Sequence, residues 1–218
     1  MTLLPSSFYE RECLEVAVDL LGKQLCLGEV TLRITEVEAY RAGGDTASHC
    51  RFGQTKRNAP MFGPPGHAYV YLCYGIHQML NVVADPEHVG AAVLVRACEV
   101  RAGAELVIAR RRAKSLDTAL CAGPGKVGAA LGIDVGLSGQ ALFQPGGLEL
   151  HDAAPVRAFL AGPRVGIGFA SDAHQVAPWR LAVADSDAVT ERRSLRPVEA
   201  GKAAFLRAER RVSSPRSS

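Results

Sequence analysis

The sequence predicts an α+β fold, a single domain in which a curved, largely antiparallel β-sheet is surrounded by helices. Three observations predict it. Segments with alternating and with helical periodicity are interspersed, without the regular strand-helix alternation of a parallel sheet. Two strand-like runs, "AYVYLCY" and "HQMLNVVA", meet at Gly75 in a tight turn, a connection open only to antiparallel neighbours. A chain of 218 residues, 48% hydrophobic and 22% charged, can bury a full core in one domain. That domain is expected over 1–190, with 191–218 a charged C-terminal segment that is partly disordered.

The elements follow in order. "SSFYERECLEVAVDLLGK" reads as a helix: Ser7 and Glu10 fit a capping box, Leu14, Val18 and Leu21 recur at helical spacing, and Gly22 closes it. "TLRITEVEAY" alternates, which puts Leu32, Ile34, Glu36, Glu38 and Tyr40 on one face of a strand, the first two buried. Glu38 and Tyr40 then point the same way. Residues 41–67 are rich in Gly, Pro, Asn and Thr and read as a long loop, with four basic residues to one acidic. The two strands around Gly75 come next, then a third, "AAVLVRA". A helix around 101–113, a second opening near "GPGKVGAALG", and strands near "RVGIGF" and "WRLAVA" complete the series. From about Ser186 the chain is charged and poor in apolar residues, and "RRVSSPRSS" is expected as a disordered basic end.

The formal net charge is only +3, yet arginine supplies 20 of the 25 basic residues, and guanidinium forks suit phosphate. A genome rich in arginine codons explains the same bias equally well. Six cysteines without a CxxC pair, and an N-terminus lacking the basic start and apolar run of a signal peptide, indicate a reduced, cytosolic protein. No apolar run approaches the ~20 residues of a membrane helix. "GPGKV" fails as a phosphate loop because Val127 follows Lys126, and "VGIGF" lacks the third glycine of a dinucleotide fingerprint. The six histidines form no HxxxH pair, so neither metal nor cofactor is expected.

Two features carry chemistry. Glu38 lies at a strand end leading into a basic loop that holds His49; a solvated surface charge is the competing reading, and Glu36 does not by itself make a glycosidase-style pair. "YVYLCYG" holds three of the five tyrosines. Tyr69 and Tyr71 share a strand face, as core rings or as a pocket wall, whereas Tyr74 sits beside the turn glycine and should project. A projecting ring near arginine-rich loops suits stacking on, or wedging between, nucleic acid bases.

"RITEVEAY", "ASH", "MFGPPGHAYVYLCYGIHQMLN", "VLVRA", "CAGPGKV" and "RVGIG", in this order and spacing, resemble the 3-methyladenine (alkyladenine) DNA glycosylase family over most of the chain. The resemblance implies a monofunctional enzyme of base excision repair, acting without metal or cofactor on double-stranded DNA that contains damaged purines. Glu38 is then the general base for water, and Arg96 helps hold that water and keeps the glutamate ionised. Tyr40, His49 and Tyr71 sandwich the extruded base, Asn81 obstructs the exocyclic amine of guanine, and Tyr74 is the wedge. Phosphate contacts are expected from Arg51, Thr55, Lys56 and Arg57 and from the helix start at Gly125 and Lys126. Arg110, Arg111 and Arg112 either add to these or form a solvated face. Ile76 and His77 depart from the vertebrate pattern. A monomer in the bacterial cytoplasm, associated with DNA, is expected. Two alternatives stay open: a non-catalytic binder of damaged DNA, and a hydrolase of free nucleosides.

Overall fold

The computed structural model describes residues 1–199 and 201–212, and its central element is strand β2, Val30–Tyr40. On one side β2 pairs with β5 (Ala91–Ala102); on the other it pairs with β1 (Gln24–Leu27) and β8 (Arg180–Val183). Beyond β5 lie β4 (His77–Ala84) and β3 (Ala68–Cys73), and beyond β8 lie β7 (Phe159–Gly162) and β9 (Arg196–Pro197). β6 (Glu149–His151) pairs with β1. The nine strands form one open sheet, every pairing antiparallel, with the helices around it, so the α+β class holds. The short strands β1, β6 and β9 have no sequence signal of their own.

The register of β2 against β5 corrects the expected alternation. Ile34 pairs with Cys98 and Val37 with Val95, so three residues advance on each strand where even steps keep a face. Thr35 is the additional residue on β2 and Arg96 the one on β5. Leu32, Ile34, Val37 and Ala39 all join the main core, together with Val93, Val95 and Cys98. Glu36, Glu38 and Tyr40 therefore do not share a face with Leu32 and Ile34. The paired bulge turns them, with Arg96, to the opposite side of the sheet. Bulges leave no mark in an apolar pattern, which is why alternation alone misplaces them.

Helix α1 (Cys13–Leu20) buries Leu14 and Val18 as expected, and Leu21 is buried just past its end, but its start differs from the expected one. Ser6–Phe8 form a separate 3₁₀ turn, and the cap is Glu12, whose carboxylate accepts from the amides of Leu14 (3.1 Å) and Glu15 (3.3 Å). Helices α2 (Ala104–Arg111) and α3 (Pro124–Leu131) follow β5. α3 lies across β4 and β5, and it does so because residue 128 is glycine: a Cβ there would stand 2.2 Å from the Gln78 carbonyl oxygen. Arg110 donates to the carbonyls of Ala130 (3.0 Å) and Leu131 (2.7 Å), and Arg111 to that of Leu120 (3.1 Å), so both guanidinium groups serve the fold.

The expected strand at "RVGIGF" lies earlier, at β7; residues 164–169 themselves form part of the loop that leads from β7 to the short helix α4 (Asp172–Val176). The charged C-terminal stretch contains a helix that the sequence did not suggest, α5 (Gly201–Val212), which buries Phe205 and Leu206 in the main core. Much of "RRVSSPRSS" falls outside the described residues. Among the described residues no helix is long and apolar enough to cross a membrane.

Candidate active site

Turned away from the core by the paired bulge, the Glu38 side chain is fully buried at the wall of a cavity of about 580 Å³. Its Oε2 accepts from the Tyr40 hydroxyl at 2.8 Å and its Oε1 from the Val165 amide at 2.7 Å. Arg96 Nη1 stands 3.2 Å from the same Oε1. Arg96 also donates to Glu36 (3.2 Å) and to the Thr190 hydroxyl (3.2 Å). Burial disfavours the guanidinium charge, yet Glu38 and Glu36 outweigh it and raise the Arg96 pKa above its ordinary value.

Glu36 is not a second acid for chemistry. Its carboxylate is taken by Arg180 (2.9 Å), Arg96 and both the amide and hydroxyl of Thr190 (2.6 and 2.7 Å). It is a buried, saturated node that ties β2, β5 and β8 to the loop carrying Thr190.

Aromatic side chains form the rest of the wall. Tyr69 and Tyr71 lie side by side on β3, ring centroids 5.4 Å apart, and the His49 ring meets Tyr71 edge-on at 4.8 Å. His49 Nδ1 is 3.1 Å from the Tyr69 hydroxyl. Burial pushes the Tyr69 phenol up to about 12 and raises Tyr71; burial and then the Glu38 charge raise Tyr40 well above its ordinary value. All three stay protonated and can donate. His49 moves the other way, lowered by burial and by the charges of Arg57 and Arg51, which favours the neutral ring. Asn81 on β4 lines the same cavity, its amide nitrogen fixed to the Tyr69 carbonyl at 3.0 Å.

Tyr74 occupies the β3–β4 turn with φ of 50°, followed by Gly75 at 73°. A left-handed tyrosine costs roughly 1–2 kcal/mol, and this one is 92% exposed, so the fold gains nothing from its ring. It too lines the cavity.

Glu38, Arg96, Tyr40, His49, Tyr71 and Asn81 are thus brought together, with Arg57 beside them, its guanidinium 5.9 Å from the Tyr71 ring. Arg51, Thr55, Lys56, Gly125 and Lys126 lie outside the cavity wall. Thr55 is bound to Asn58, Lys126 Nζ to the Ala119 carbonyl (3.0 Å), and Gly125 packs against the His77 ring, which a Cβ would approach to 2.8 Å. α3 is nevertheless coupled to the site, because the Gly123 amide donates to the Arg96 carbonyl at 2.9 Å and Pro124 lines the cavity.

Sequence reasoning missed the loop 163–170. Val165 supplies a donor to Glu38, and Arg164 forms a buried two-pronged ion pair with Asp45 (2.6 and 2.8 Å) while stacking over Tyr40 at 4.7 Å. Asp45 was the lone acid of a basic loop, the one signal that could have singled it out. Among the described residues no three His, Cys, Asp or Glu side chains converge to hold a metal ion.

The sequence model of the methylpurine-DNA glycosylase (MPG) family matches residues 7–187. This makes the protein a DNA glycosylase, a hydrolase of N-glycosyl bonds. A Nitrosococcus oceani protein that carries a provisional 3-methyladenine DNA glycosylase name is 57% identical over 195 residues, covering 89% of this chain and 96% of its own. The DNA-3-methyladenine glycosylase of Arabidopsis thaliana is 54% identical over 187 residues, 85% of this chain and 73% of its own. The chain belongs to the methylpurine-DNA glycosylase family.

Proposed function

We propose that the protein extrudes an alkylated purine from duplex DNA into the cavity and hydrolyses its bond to the sugar, with Glu38 steering the water. The observation that carries this reading is one fully buried carboxylate facing an aromatic-walled cavity, its charge compensated by Arg96 at 3.2 Å. A ring-alkylated purine is already cationic. When its bond to C1′ breaks, the electron pair passes to the ring and the base leaves neutral, so no protein acid is needed. The water oxygen bonds to the oxocarbenium-like C1′ and its proton passes to Glu38. Tyr40, Val165 and Arg96 already engage the carboxylate, which leaves few directions from which it can receive a water.

Extrusion costs a few kcal/mol, least for damaged or mispaired bases, and stacking returns ~1–3 kcal/mol per base. Tyr40, His49 and Tyr71 provide that stacking, Asn81 excludes the exocyclic amine of guanine, and Tyr74 fills the vacated place in the duplex. Thr55, Lys56, Arg57 and the α3 start at Gly125 and Lys126 hold phosphates. Deaminated purines such as hypoxanthine enter the same reading as slower substrates, because their departure needs a proton. Among the described residues no lysine lines the cavity, which favours water over a Schiff base as the nucleophile. One chain supplies every residue of this reading, so a monomer is the acting unit.

Glu38→Gln tests it. The variant should bind lesion duplex as the wild type does and lose base release by about 10²–10⁴-fold, read as alkali-labile sites in methylated DNA. Release at the wild-type rate would remove Glu38 from the mechanism.

A further inference from the structure

Arg51 does not present a free guanidinium. Its Cζ lies 4.7 Å from the Phe52 ring and 5.2 Å from the Phe169 ring, and Nη1 donates to the Ser48 carbonyl at 3.2 Å. The two phenylalanines are 87% and 64% exposed, so the core does not use them. Yet neither ring hangs on a loose segment. Phe169 sits in a turn closed by the Ala170 amide on the Ile167 carbonyl (2.9 Å) and clamped by Gln175, which donates to the carbonyls of Gly168 and Ala170. Ile167 and Ala170 are buried against Ala47, on the loop that carries Phe52. Asp45 and Arg164 lock the same two loops together. The result is a guanidinium that lies over both rings, on two loops tied together, with both rings open to solvent.

We propose that Phe52, Arg51 and Phe169 form a second aromatic contact to DNA, a platform that takes the apolar face of the nucleotide next to the extruded one. The inference rests on the reading that the cavity receives a base from duplex DNA. Three observations select DNA as the occupant. Phe169 also lines the cavity that contains Glu38, so the platform is continuous with the site. Any strand that feeds a nucleotide into that cavity must carry its neighbours past the mouth. Between Asp45 and Arg57 the loop has no acidic residue and carries Arg51, Lys56 and Arg57, which suits a polyanion. Cation and rings together offer the stacking surface that unpaired nucleotides prefer. Arg51 then acts chiefly as the spacer that holds the rings, in place of the phosphate contact its position in a basic loop suggests.

The test compares wild type with F52A/F169A on a duplex carrying one pyrrolidine abasic-site analogue, with the dissociation constant measured over a range of salt. Both side chains are exposed, so the thermal midpoint should stay unchanged. Affinity should fall about tenfold or more, with the slope of log K against log salt unaltered, because rings release no counterions. F52W/F169W should restore binding. Unchanged affinity in F52A/F169A overturns the platform. So does a weaker affinity with the slope reduced by about 0.9, one phosphate contact, since freed Arg51 rather than the rings would then account for it. Failure of the underlying reading is distinguishable: wild-type protein would release no base from methylated DNA, whatever residues stand at 52 and 169.

Discussion

The Tyr40 hydroxyl donates to Oε2 of Glu38 at 2.8 Å, across two positions of one strand, so the ring proposed to stack on the base also holds the carboxylate proposed to direct water. The two roles separate in Tyr40→Phe. Losing a hydrogen bond to a charged group, worth ~1.5–3 kcal/mol, should slow single-turnover base release about tenfold or more. Lesion affinity should stay within about threefold, because the ring remains. Tyr40→Ala should lose both. If the phenylalanine variant binds as weakly as the alanine one, the hydroxyl and not the ring makes the contact.

Arg96 answers two buried carboxylates, and among the described residues Glu36 has a second arginine, Arg180, whereas Glu38 has none. Arg96→Met should therefore destabilise by about 3–5 kcal/mol, the range for breaking a buried ion pair, and abolish base release. Adding Glu38→Gln should return a large part of that stability and none of the activity. Denaturant midpoints for the single and double variants supply the cycle; additive losses would mean that the two side chains are uncoupled.

Tyr74→Ala removes a ring that the fold holds in the left-handed region and in solvent. Its thermal midpoint should be unchanged, since alanine keeps the Cβ that carries the left-handed cost and the ring is in solvent, while binding to a lesion duplex weakens about tenfold. A 2-aminopurine placed opposite the lesion reports whether the stack is still filled. Equal fluorescence and equal affinity in wild type and variant would end the wedge assignment.

Asp85 lies between β4 and β5, and burial, then the neighbouring Glu12 charge, lift its carboxyl from 3.8 to about 6. The folded protein holds this proton more tightly than the unfolded chain does. The stabilisation it brings is complete below about pH 4 and gone once the pH rises through about 6. At pH 8 the charged group costs about 1–2 kcal/mol, allowing for its partial exposure. Asn accepts the local φ of 65°, so Asp85→Asn should melt several degrees higher than wild type at pH 8. By pH 5 the difference should have shrunk; a gap that ignores pH would show that the charge is not its source.

Part of the candidate site has a local signature in the sequence. Spacing alone put Glu38 and Tyr40 on one side of a strand and Tyr74 at an exposed turn, while their gathering with Arg96, His49, Tyr71 and Asn81 was an expectation from the family resemblance. What stayed hidden was set by distance or by geometry that leaves no compositional trace. Arg164 meets Asp45 across most of the chain, and nothing local pairs them. "RVGIGF" alternates like a strand, yet the Val165 amide is spent on Glu38 rather than on a sheet neighbour. Ser7 and Glu10 satisfied the spacing of a capping box, but Glu12 stands nearer the first helical turn and also meets Arg41 at 2.8 Å, a partner no local window includes.

The additional residues at Thr35 and Arg96 also make the two central strands answerable to each other. Removing Thr35 alone would rotate everything after it by half a pleat, sending Val37 and Ala39 toward the cavity and driving Glu38 into hydrocarbon. Only a matching deletion on β5 would let the pairing close again, and that deletion would take Arg96. Length variation in this pair of strands is thus forbidden singly and ruinous doubly.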